Sequence, residues 1–267
     1  FCGHERQFGN ILAKAHRIKL ANRPLTQLDF WTDLKSYISE HGSPFKNIKP
    51  KVKGWIDTAE LGQLRYLSGS FMGFKRARND VGVTHTDGVH FVDLFNWLTG
   101  LNPDAVYAVT RDHFKRGLED WSLVVIYYPE GLVAKIESGY IQPGRWRDKV
   151  VANAFTTKEI SICGSAATAE IDFEQEVVHL HRVHHEDRQG IWTAVVEGTE
   201  TPNLGTASPI RMIKTELEEF LKAVRGRYSP DANVITAGVV MANTVEAIYA
   251  SARSGKLEPV SKLGTSF

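Results

Sequence analysis

Closely spaced glycines are absent from this chain of 267 residues, although it contains 22 glycines. No two of them are separated by a single residue, so the G-x-G-x-x-G loop that binds dinucleotide phosphates occurs nowhere in the sequence. The G-K-[ST] end of a nucleotide phosphate loop is missing as well. The sequence therefore offers no visible way of binding a dinucleotide by the usual route.

Cysteine is equally scarce, because the chain has only Cys2 and Cys163. Two cysteines cannot form a disulfide framework, and we predict a reducing, cytoplasmic location. The C-x-x-C, H-E-x-x-H and G-x-S-x-G patterns are also absent. Their absence removes the common signatures of redox sites, zinc proteases and serine hydrolases.

The chain also lacks an excess of either charge and any long apolar run. It has 32 Lys and Arg against 31 Asp and Glu, a formal net charge of +1. A nucleic-acid or polybasic membrane surface needs clustered positive charge. The longest apolar run, Leu123–Tyr128, is far shorter than the roughly 20 residues of a membrane helix. We therefore predict neither a nucleic-acid partner nor a membrane partner.

What the sequence does contain, in its middle, is a series of β-branched and aromatic runs that predict strands. These runs are Leu64–Phe74, Ala105–Asp112, Trp121–Tyr128, Leu132–Tyr140, Lys158–Cys163, Ala167–Phe173 and Glu176–His184. The turn-forming Pro129-Glu130-Gly131 joins the third and fourth runs as a hairpin. Because a parallel pair needs a crossover of about a dozen residues, the short spacing of the strands predicts a mainly antiparallel sheet.

One helix is predicted within this strand-rich region. Thr84, Thr86 or Asp87 can cap its start, and Gly100 is a typical end. Its apolar stripe comprises Phe91, Val92, Leu94, Phe95 and Leu98. That spacing buries one face of the helix against the sheet.

Further helices are predicted at the two ends of the chain. The closing pair runs from Ser208-Pro209 to about Gly226 and from about Asp231 to Ser254. Weaker patterns predict helices over residues 10–19 and 28–38, followed by a basic loop over residues 45–53. Together the elements predict an α+β fold, with a large, predominantly antiparallel open β-sheet and helices packed on one face.

The first candidate for chemistry is the stretch from Thr84 to His90. If the helix starts near Asp87, His90 lies in its first turn, where the positive end of the helix dipole favours a neutral imidazole that can accept a proton. Asp87 can orient that imidazole or cap the helix. The alternative is that the stretch is only a capping cluster.

Two other polar groups are candidates. Tyr140–Arg147 follows a strand and combines guanidinium groups with aromatic rings, so it suits a sugar ring, a carboxylate or a phosphate. The alternative for that loop is a surface turn. His179 and His181 share one face of a strand, with His184 beyond them, but nearby carboxylates suit an exposed polar strand equally well, and we predict no metal.

Several segments, taken in chain order, carry a resemblance to a known family. Asp57–Leu64 is similar to a G-E-(I/L)-G-x-(I/V) entry into the first sheet strand. The others are Gly3–Phe8, Asp87–His90 with Asp93, Trp97–Gly100, Ile162–Ile171 and the two closing helices. Together they resemble the glucose–fructose oxidoreductase/inositol dehydrogenase (Gfo/Idh/MocA) family.

The resemblance implies a fold and an activity. In that family an N-terminal Rossmann domain binds NAD or NADP and supplies a lysine from an E-K-P motif. A C-terminal α+β domain holds the substrate and supplies a histidine that exchanges a proton with a sugar hydroxyl or ketone. The glycine loop and the E-K-P motif are both absent here. The implied function is that of the substrate domain of an oxidoreductase that acts on a sugar, an inositol or a nucleotide-sugar. NAD or NADP is expected in the intact protein, but none is expected to bind to this chain. The chain alone is therefore expected to be inactive. The alternative is a non-enzymatic self-associating or ligand-binding domain.

The resemblance also assigns residues. His90 matches the family histidine, and Thr86 occupies the place of the family aspartate, four residues before it. Asp87 stands three residues before His90, so the orienting role falls to Asp87 or Thr86. The family's substrate contacts fall on Tyr140, Arg145, Trp146 and Arg147.

The expected organisation follows. Residues 1–15 correspond to a junction with a dinucleotide-binding domain, residues 16–54 to an insertion, residues 55–260 to the substrate-binding and oligomerisation domain, and residues 261–267 to a flexible tail. The expected partners are a small sugar-type substrate and further copies of the chain, joined through the open sheet face.

Overall fold

The structure is a computed structural model that describes residues 48–75, 77–148, 153–204, 221 and 232–261. The predicted junction at 1–15, the tail beyond 261, and the predicted helices over 10–19 and 28–38 lie outside these residues. The same holds for the closing helix predicted to start at Ser208-Pro209, apart from Leu221, and for residues 16–47 of the expected insertion.

Ten strands of the described chain form one sheet. They are β1 Leu64–Phe74, β2 Ala105–Arg111, β3 Trp121–Tyr127, β4 Val133–Gly139, β5 Trp146–Arg147, β6 Phe155–Gly164, β7 Thr168–Asp172, β8 Val177–Arg188, β9 Ile191–Glu200 and β10 Glu258–Pro259. Across the sheet the order is β10, β2, β3, β4, β1, β6, β7, β8 and β9, and β5 pairs with the beginning of β6.

All described strand pairs are antiparallel except β1 with β4, which run parallel in the middle of the sheet. The predominantly antiparallel sheet is therefore confirmed. The parallel pair obeys the crossover rule, because the chain between these strands forms a helix and the β2–β3 hairpin before it returns.

The helices pack on one face of the sheet, as predicted for an α+β fold. They are α1 Ile48–Asp57, α2 Val89–Thr99 and α3 Ala232–Ser254. A Cβ atom at Gly69 of β1 would lie 2.7 Å from the ring of Phe91, so a glycine there lets α2 lie directly on the strand. The Ser251 side chain of α3 accepts a hydrogen bond from the backbone N–H of Ala108 in β2, at 2.9 Å. No helix in the described part of the chain is long and apolar enough to span a membrane.

The predicted α2 is confirmed in detail. Its five predicted apolar residues are all buried. Gly100 ends the helix with a φ of 69°, and its N–H donates to the carbonyl of Asn96 at 2.9 Å. Gly255 ends α3 in the same way, with a φ of 67°.

The basic loop predicted over residues 45–53 is wrong for its described part, because α1 begins at Ile48. Ile48, Val52 and Trp55 recur at helical spacing and are all buried in the core. Lys51 and Lys53, which lie between the buried residues, are only partly buried in a helix whose apolar stripe is three residues long.

The turn after α1 contacts the end of β6 too closely for any side chain at Gly164. A Cβ atom there would lie 1.9 Å from the carbonyl oxygen of Leu61. We expect Gly164→Ala to lower the free energy of unfolding by roughly 1–3 kcal/mol, because a backbone carbonyl has to move. Gly238→Ala is the control, since that position faces open space in α3 and alanine should gain about 0.5–1 kcal/mol there. Urea unfolding of both variants measures the difference, and a Gly164→Ala variant as stable as the wild type would contradict this packing.

The last two strands extend beyond the rest of the sheet. β8 pairs with β7 only over Val177–His181, whereas its pairing with β9 continues to Arg188 and Ile191. The sequence predicted an end near His184 and no following strand. Both differences arise because the charged tip of β8 breaks the apolar pattern, while the Gln189-Gly190 turn, with φ values of 59° and 85°, still closes a hairpin. We call residues 183–198 the hairpin arm.

Candidate functional site

The segment carrying the predicted catalytic residues is one continuous helical run. Thr84–Gly88 forms a π-helical turn, and α2 follows directly from Val89. Free backbone N–H groups therefore lie near the start of the π turn, where the backbone of Thr84 donates to the carboxylate of Glu119 at 3.1 Å. His90 lies further along the run, so the expected dipole effect on its imidazole does not apply.

Asp87 does not cap the helix, contrary to one expectation. Neither N-cap residue, Val83 for the π turn or Gly88 for α2, makes a side-chain capping hydrogen bond, and the side chain that accepts from the first turn is that of Glu119. Instead, the Lys75 ammonium donates to Oδ1 of Asp87 at 2.7 Å. Both side chains are withdrawn from solvent, with 12% and 4% of their surfaces exposed. A buried ion pair thus joins the end of β1 to the π turn.

Burial is the largest influence on the pKa of both Asp87 and Lys75. It raises the pKa of Asp87 above the usual value, although the charge of Lys75 acts in the opposite direction. Burial likewise lowers the pKa of Lys75. Oδ2 of Asp87 is buried with no hydrogen-bond partner in the described chain, so only one oxygen of the carboxylate is stabilised. A carboxyl group tuned in this direction is suited to exchanging protons nearer neutral pH.

Thr86 connects the π turn to Tyr140, the residue that follows β4. The two hydroxyl oxygens are 2.7 Å apart. Thr86 also faces the carbonyl oxygens of Gly82 and Val83, at 3.3 Å each, which favours Tyr140 as the donor between the hydroxyls. The Lys75 ammonium lies 5.5 Å from the centre of the Tyr140 ring and 3.7 Å from that of Phe71. The structure therefore brings Thr86, Asp87 and Tyr140 together around Lys75.

A cleft of about 560 Å³ opens over this cluster. Its lining comprises Phe74, Lys75, His113, Phe114, Tyr140 and Ile141. The Phe114 wall is held in place by Asp120, whose fully buried carboxylate accepts the Phe114 N–H at 2.6 Å. Aromatic walls with a few polar groups at the base are typical of small-molecule sites.

His90 is exposed in the first turn of α2, outside its buried stripe. It follows Asp87 by three residues, which places the two on neighbouring positions of the helical surface. The imidazole is therefore presented to solvent beside the π turn, and it is not among the described residues that line the cleft.

Arg145, Trp146 and Arg147 form a separate surface group. The guanidinium of Arg145 pairs with Glu159, and the Trp146 indole donates to Asp172 at 2.8 Å. The guanidinium of Arg147 lies 5.9 Å from the centre of the Phe155 ring. None of the three is among the described residues that line the cleft, so the structure does not bring them to Tyr140.

A second buried charge network lies just beyond this strand. The Lys158 ammonium contacts carboxylate oxygens of Asp148 and Glu174, at 2.9 and 2.6 Å. The Thr156 hydroxyl lies 3.0 and 2.8 Å from the same two carboxylates. Because Asp148 follows β5 directly, the network anchors one end of the loop from Tyr140 to Arg147.

Sequence reasoning missed Lys75, His113 and Phe114. The only available signal for Lys75 was a charged residue directly after a β-strand, which is an ordinary feature of strand ends. The partner of Lys75 is 12 residues away in the sequence, on the π turn. No local spacing rule relates a strand end to a π-helical turn.

The histidines of β8 already have hydrogen-bond partners. Nδ1 of His181 lies 2.9 Å from the Thr199 hydroxyl, and its Nε2 lies 3.2 Å from Glu170. Nδ1 of His179 lies 2.8 Å from Thr201. Within the described ranges, no cluster of three or more suitable side chains could hold a metal ion.

A known protein family and several solved structures are similar to this chain. The sequence profile of the GFO/IDH/MocA C-terminal domain matches residues 50–170. No curated protein sequence matches the chain. Among solved structures, levoglucosan dehydrogenase in complex with NADH is similar with a TM-score of 0.60 and 17% identity, covering 79% of this chain and 62% of that chain.

Two further structures share the fold. The WlbA dehydrogenase from Bordetella pertussis, in complex with NADH and UDP-GlcNAcA, matches with a TM-score of 0.57 and 18% identity over 82% of this chain and 62% of that chain. UDP-N-acetylglucosamine 3-dehydrogenase GnnA from Acidithiobacillus ferrooxidans matches with a TM-score of 0.54 and 19% identity over 75% of this chain and 57% of that chain.

The chain spans about three-fifths of the length of these structures. At such low identity the likeness shows the fold alone, whereas the sequence profile covers α1 through β7 directly. Residues 50–170 match the model of the Gfo/Idh/MocA C-terminal domain, and the described chain shares its fold with these oxidoreductase structures.

Proposed function

We propose that this domain forms the substrate side of a nicotinamide-dependent oxidoreductase acting on a hydroxyl or ketone of a sugar, an inositol or a nucleotide-sugar. One observation carries the proposal: Lys75, which pairs with the buried Asp87, and Tyr140, which is hydrogen-bonded to Thr86, both line an aromatic cleft. A cleft of this kind offers rings for the faces of a sugar and polar groups for its hydroxyls.

His90 is the group that we propose takes or gives the hydroxyl proton. His90 is exposed near the π turn, where a substrate that extends from the cleft past that turn would contact it. Asp87 sets the charge beside it, and Thr86 holds the Tyr140 hydroxyl toward the cleft. Arg145, Trp146 and Arg147, which are exposed outside the cleft, would contact only the distal part of an extended substrate such as a nucleotide-sugar.

The residues of this chain do not fit a dinucleotide. The glycine loop is absent from all 267 residues, and the described lining of the cleft is Lys75 with mainly aromatic side chains rather than the N-terminus of a helix, where backbone N–H groups bind phosphate. We therefore propose that NAD or NADP is held outside these residues in the intact protein, where it supplies hydride chemistry. This chain by itself is then inactive in hydride transfer.

The open face of the sheet supports the further proposal of a homo-oligomer. Three tyrosines, Tyr66, Tyr107 and Tyr127, lie partly exposed on strands β1, β2 and β3. Leu123 and Val125 of β3 are only half-buried between them. Apolar and aromatic groups that the helices leave uncovered favour contact with a second sheet.

Ligand titration tests the substrate proposal. We expect the domain to bind at least one member of a panel of hexoses, inositols and UDP-sugars, as followed by calorimetry. Tyr140→Phe should weaken that binding roughly 5–10-fold, because it removes one hydrogen bond worth about 1 kcal/mol. Tyr127→Phe is the matched control, since it removes an exposed hydroxyl from the open face.

The outcomes separate the alternatives. Absence of binding to every compound would exclude the substrate role. Binding of a sugar-type compound without any hydride transfer by the intact protein supplied with NAD or NADP would favour the non-enzymatic ligand-binding domain. Hydride transfer by this chain alone with added NADH or NADPH would contradict the proposal that the cofactor is held elsewhere.

A further inference from the structure

Among the described strands, none pairs with either outer edge of the hairpin arm. Beyond His181, β8 pairs only with β9, and β9 is the last strand of the sheet. A two-stranded ribbon that stands alone in water is at best marginally stable. The arm therefore requires either a favourable surface of its own or a partner.

One face of the arm carries exposed apolar side chains from β9, with His185 and Asp187 of β8 opposite Ala194 and Trp192. Ile191, Trp192 and Val196 are 70%, 66% and 71% exposed. Trp192, Ala194 and Val196 alternate along β9 and so share one face of the ribbon, together with Val183 of β8, which is directly opposite Val196. Exposed apolar stripes of this kind mark contact surfaces.

No described strand pairs with the outer edge of β9. Arg188 and Ile191 flank a two-residue turn and close the hairpin as a hydrogen-bonded pair. Since hydrogen-bonded and non-hydrogen-bonded pairs alternate, the N–H and C=O groups of Trp192, Ala194 and Val196 point away from β8. The run from Ile191 to Val196 contains no charge and no proline, so the usual protection of an edge strand is missing.

One register makes this edge complementary to itself. An antiparallel pairing with a two-fold axis through Ala194 puts Trp192 opposite Val196 of the second copy and Thr193 opposite Val195. Glu197 then lies opposite Ile191, so no two like charges oppose each other. The outward-facing backbone groups of the two strands coincide in the same register.

We propose that a second copy of this chain pairs with β9 edge to edge about Ala194, so that the sheet continues from one molecule into the other. The occupant is a second copy because one segment satisfies both sides of the contact, as an isologous interface requires. This contact is distinct from the open-face oligomer proposed above, and either can exist without the other.

Charge substitution at the two-fold axis tests the pairing. In Ala194→Lys or Ala194→Glu, identical charges oppose each other across the axis, and we expect each variant to show half the mass of the wild type by light scattering. An equimolar mixture of the two variants should recover the wild-type mass, because lysine then opposes glutamate. A variant that merely damages the arm would not be rescued by mixing. Unchanged mass in either single variant, or no recovery in the mixture, would overturn the proposal.

A cysteine pair provides an independent readout of the register. Opposed residues in a hydrogen-bonded pair have Cα atoms about 5.5 Å apart, within the range of a disulfide. Under mild oxidation we expect Ala194→Cys to give a covalent dimer. Thr193→Cys, which opposes Val195 in this register, should give no more than the parent chain with its own Cys2 and Cys163. Equal cross-linking of the two variants would rule out this register.

Discussion

Replacing Lys75 by methionine should lower the free energy of unfolding by about 3–5 kcal/mol, because it leaves the buried Asp87 carboxylate without its cation. Methionine preserves the apolar stem of the side chain and removes the ammonium, including its contact with the Phe71 ring. The loss is therefore expected to be mainly electrostatic. Urea unfolding at neutral pH measures it.

The double variant Lys75→Met/Asp87→Asn separates charge from packing. Neutralising Asp87 as well removes the uncompensated charge, so most of the lost stability should return. Lys53→Met is the matched control, since Lys53 pairs with Asp57 at 2.5 Å in an exposed i,i+4 arrangement on α1. An exposed pair of that kind contributes only about 0.3–0.5 kcal/mol. If Lys53→Met and Lys75→Met cost the same, the Lys75–Asp87 pair is not buried as described.

The pH dependence of Lys75→Met provides a second check. Burial raises the pKa of Asp87 in the folded protein, and removal of the lysine takes away an influence that lowers it. The folded state then binds a proton at pH values where the unfolded carboxyl, with a pKa of about 3.9, has already lost it. Stability of the variant therefore falls as the pH rises through the interval between the two pKa values. The deficit relative to wild type should be small near pH 4 and larger near pH 7.

The sheet and the helix α2 were predictable because their signals are local. The β-branched and aromatic run of Trp121–Tyr127 and the 3.6-residue spacing of the apolar stripe in α2 are both visible in a single sequence. The parallel pairing of β1 with β4 was not predictable in this way. It depends on how the intervening helix and hairpin return to the sheet, a matter of tertiary packing.

The candidate site likewise has residues that the sequence indicates and residues that only tertiary packing brings together. Asp87, Thr86 and Tyr140 were recognisable from short motifs, and the structure joins them. Lys75 was not, because its role comes from an ion pair between a strand end and a π-helical turn. The loop from Tyr140 to Arg147 was predicted as one substrate-binding group, but its far end is tied to β6 and β7 by Glu159 and Asp172. Residues that follow Tyr140 closely in the sequence therefore do not all lie beside it in the cleft.

In the form of the protein that turns over substrate, His90→Gln should lower kcat by about 10²–10⁴-fold, the usual contribution of general acid–base catalysis. Glutamine keeps a polar side chain of similar reach but cannot accept the proton near neutral pH. KM should change far less than kcat, because the cleft lining is untouched. The limb of the pH–rate profile that reports an ionisation near the imidazole range should also disappear.

His85→Gln is the comparison that identifies which histidine acts. Both imidazoles are exposed and belong to the same helical run, but Nδ1 of His85 lies 2.9 Å from the Tyr249 hydroxyl, and the two rings stack with centres 5.2 Å apart. That contact directs His85 toward α3 rather than toward the cleft, so we expect kcat within about threefold of wild type, as for an ordinary surface substitution. If His85→Gln loses turnover while His90→Gln keeps it, the proton transfer belongs to His85, and the alignment of His90 with the family histidine is wrong.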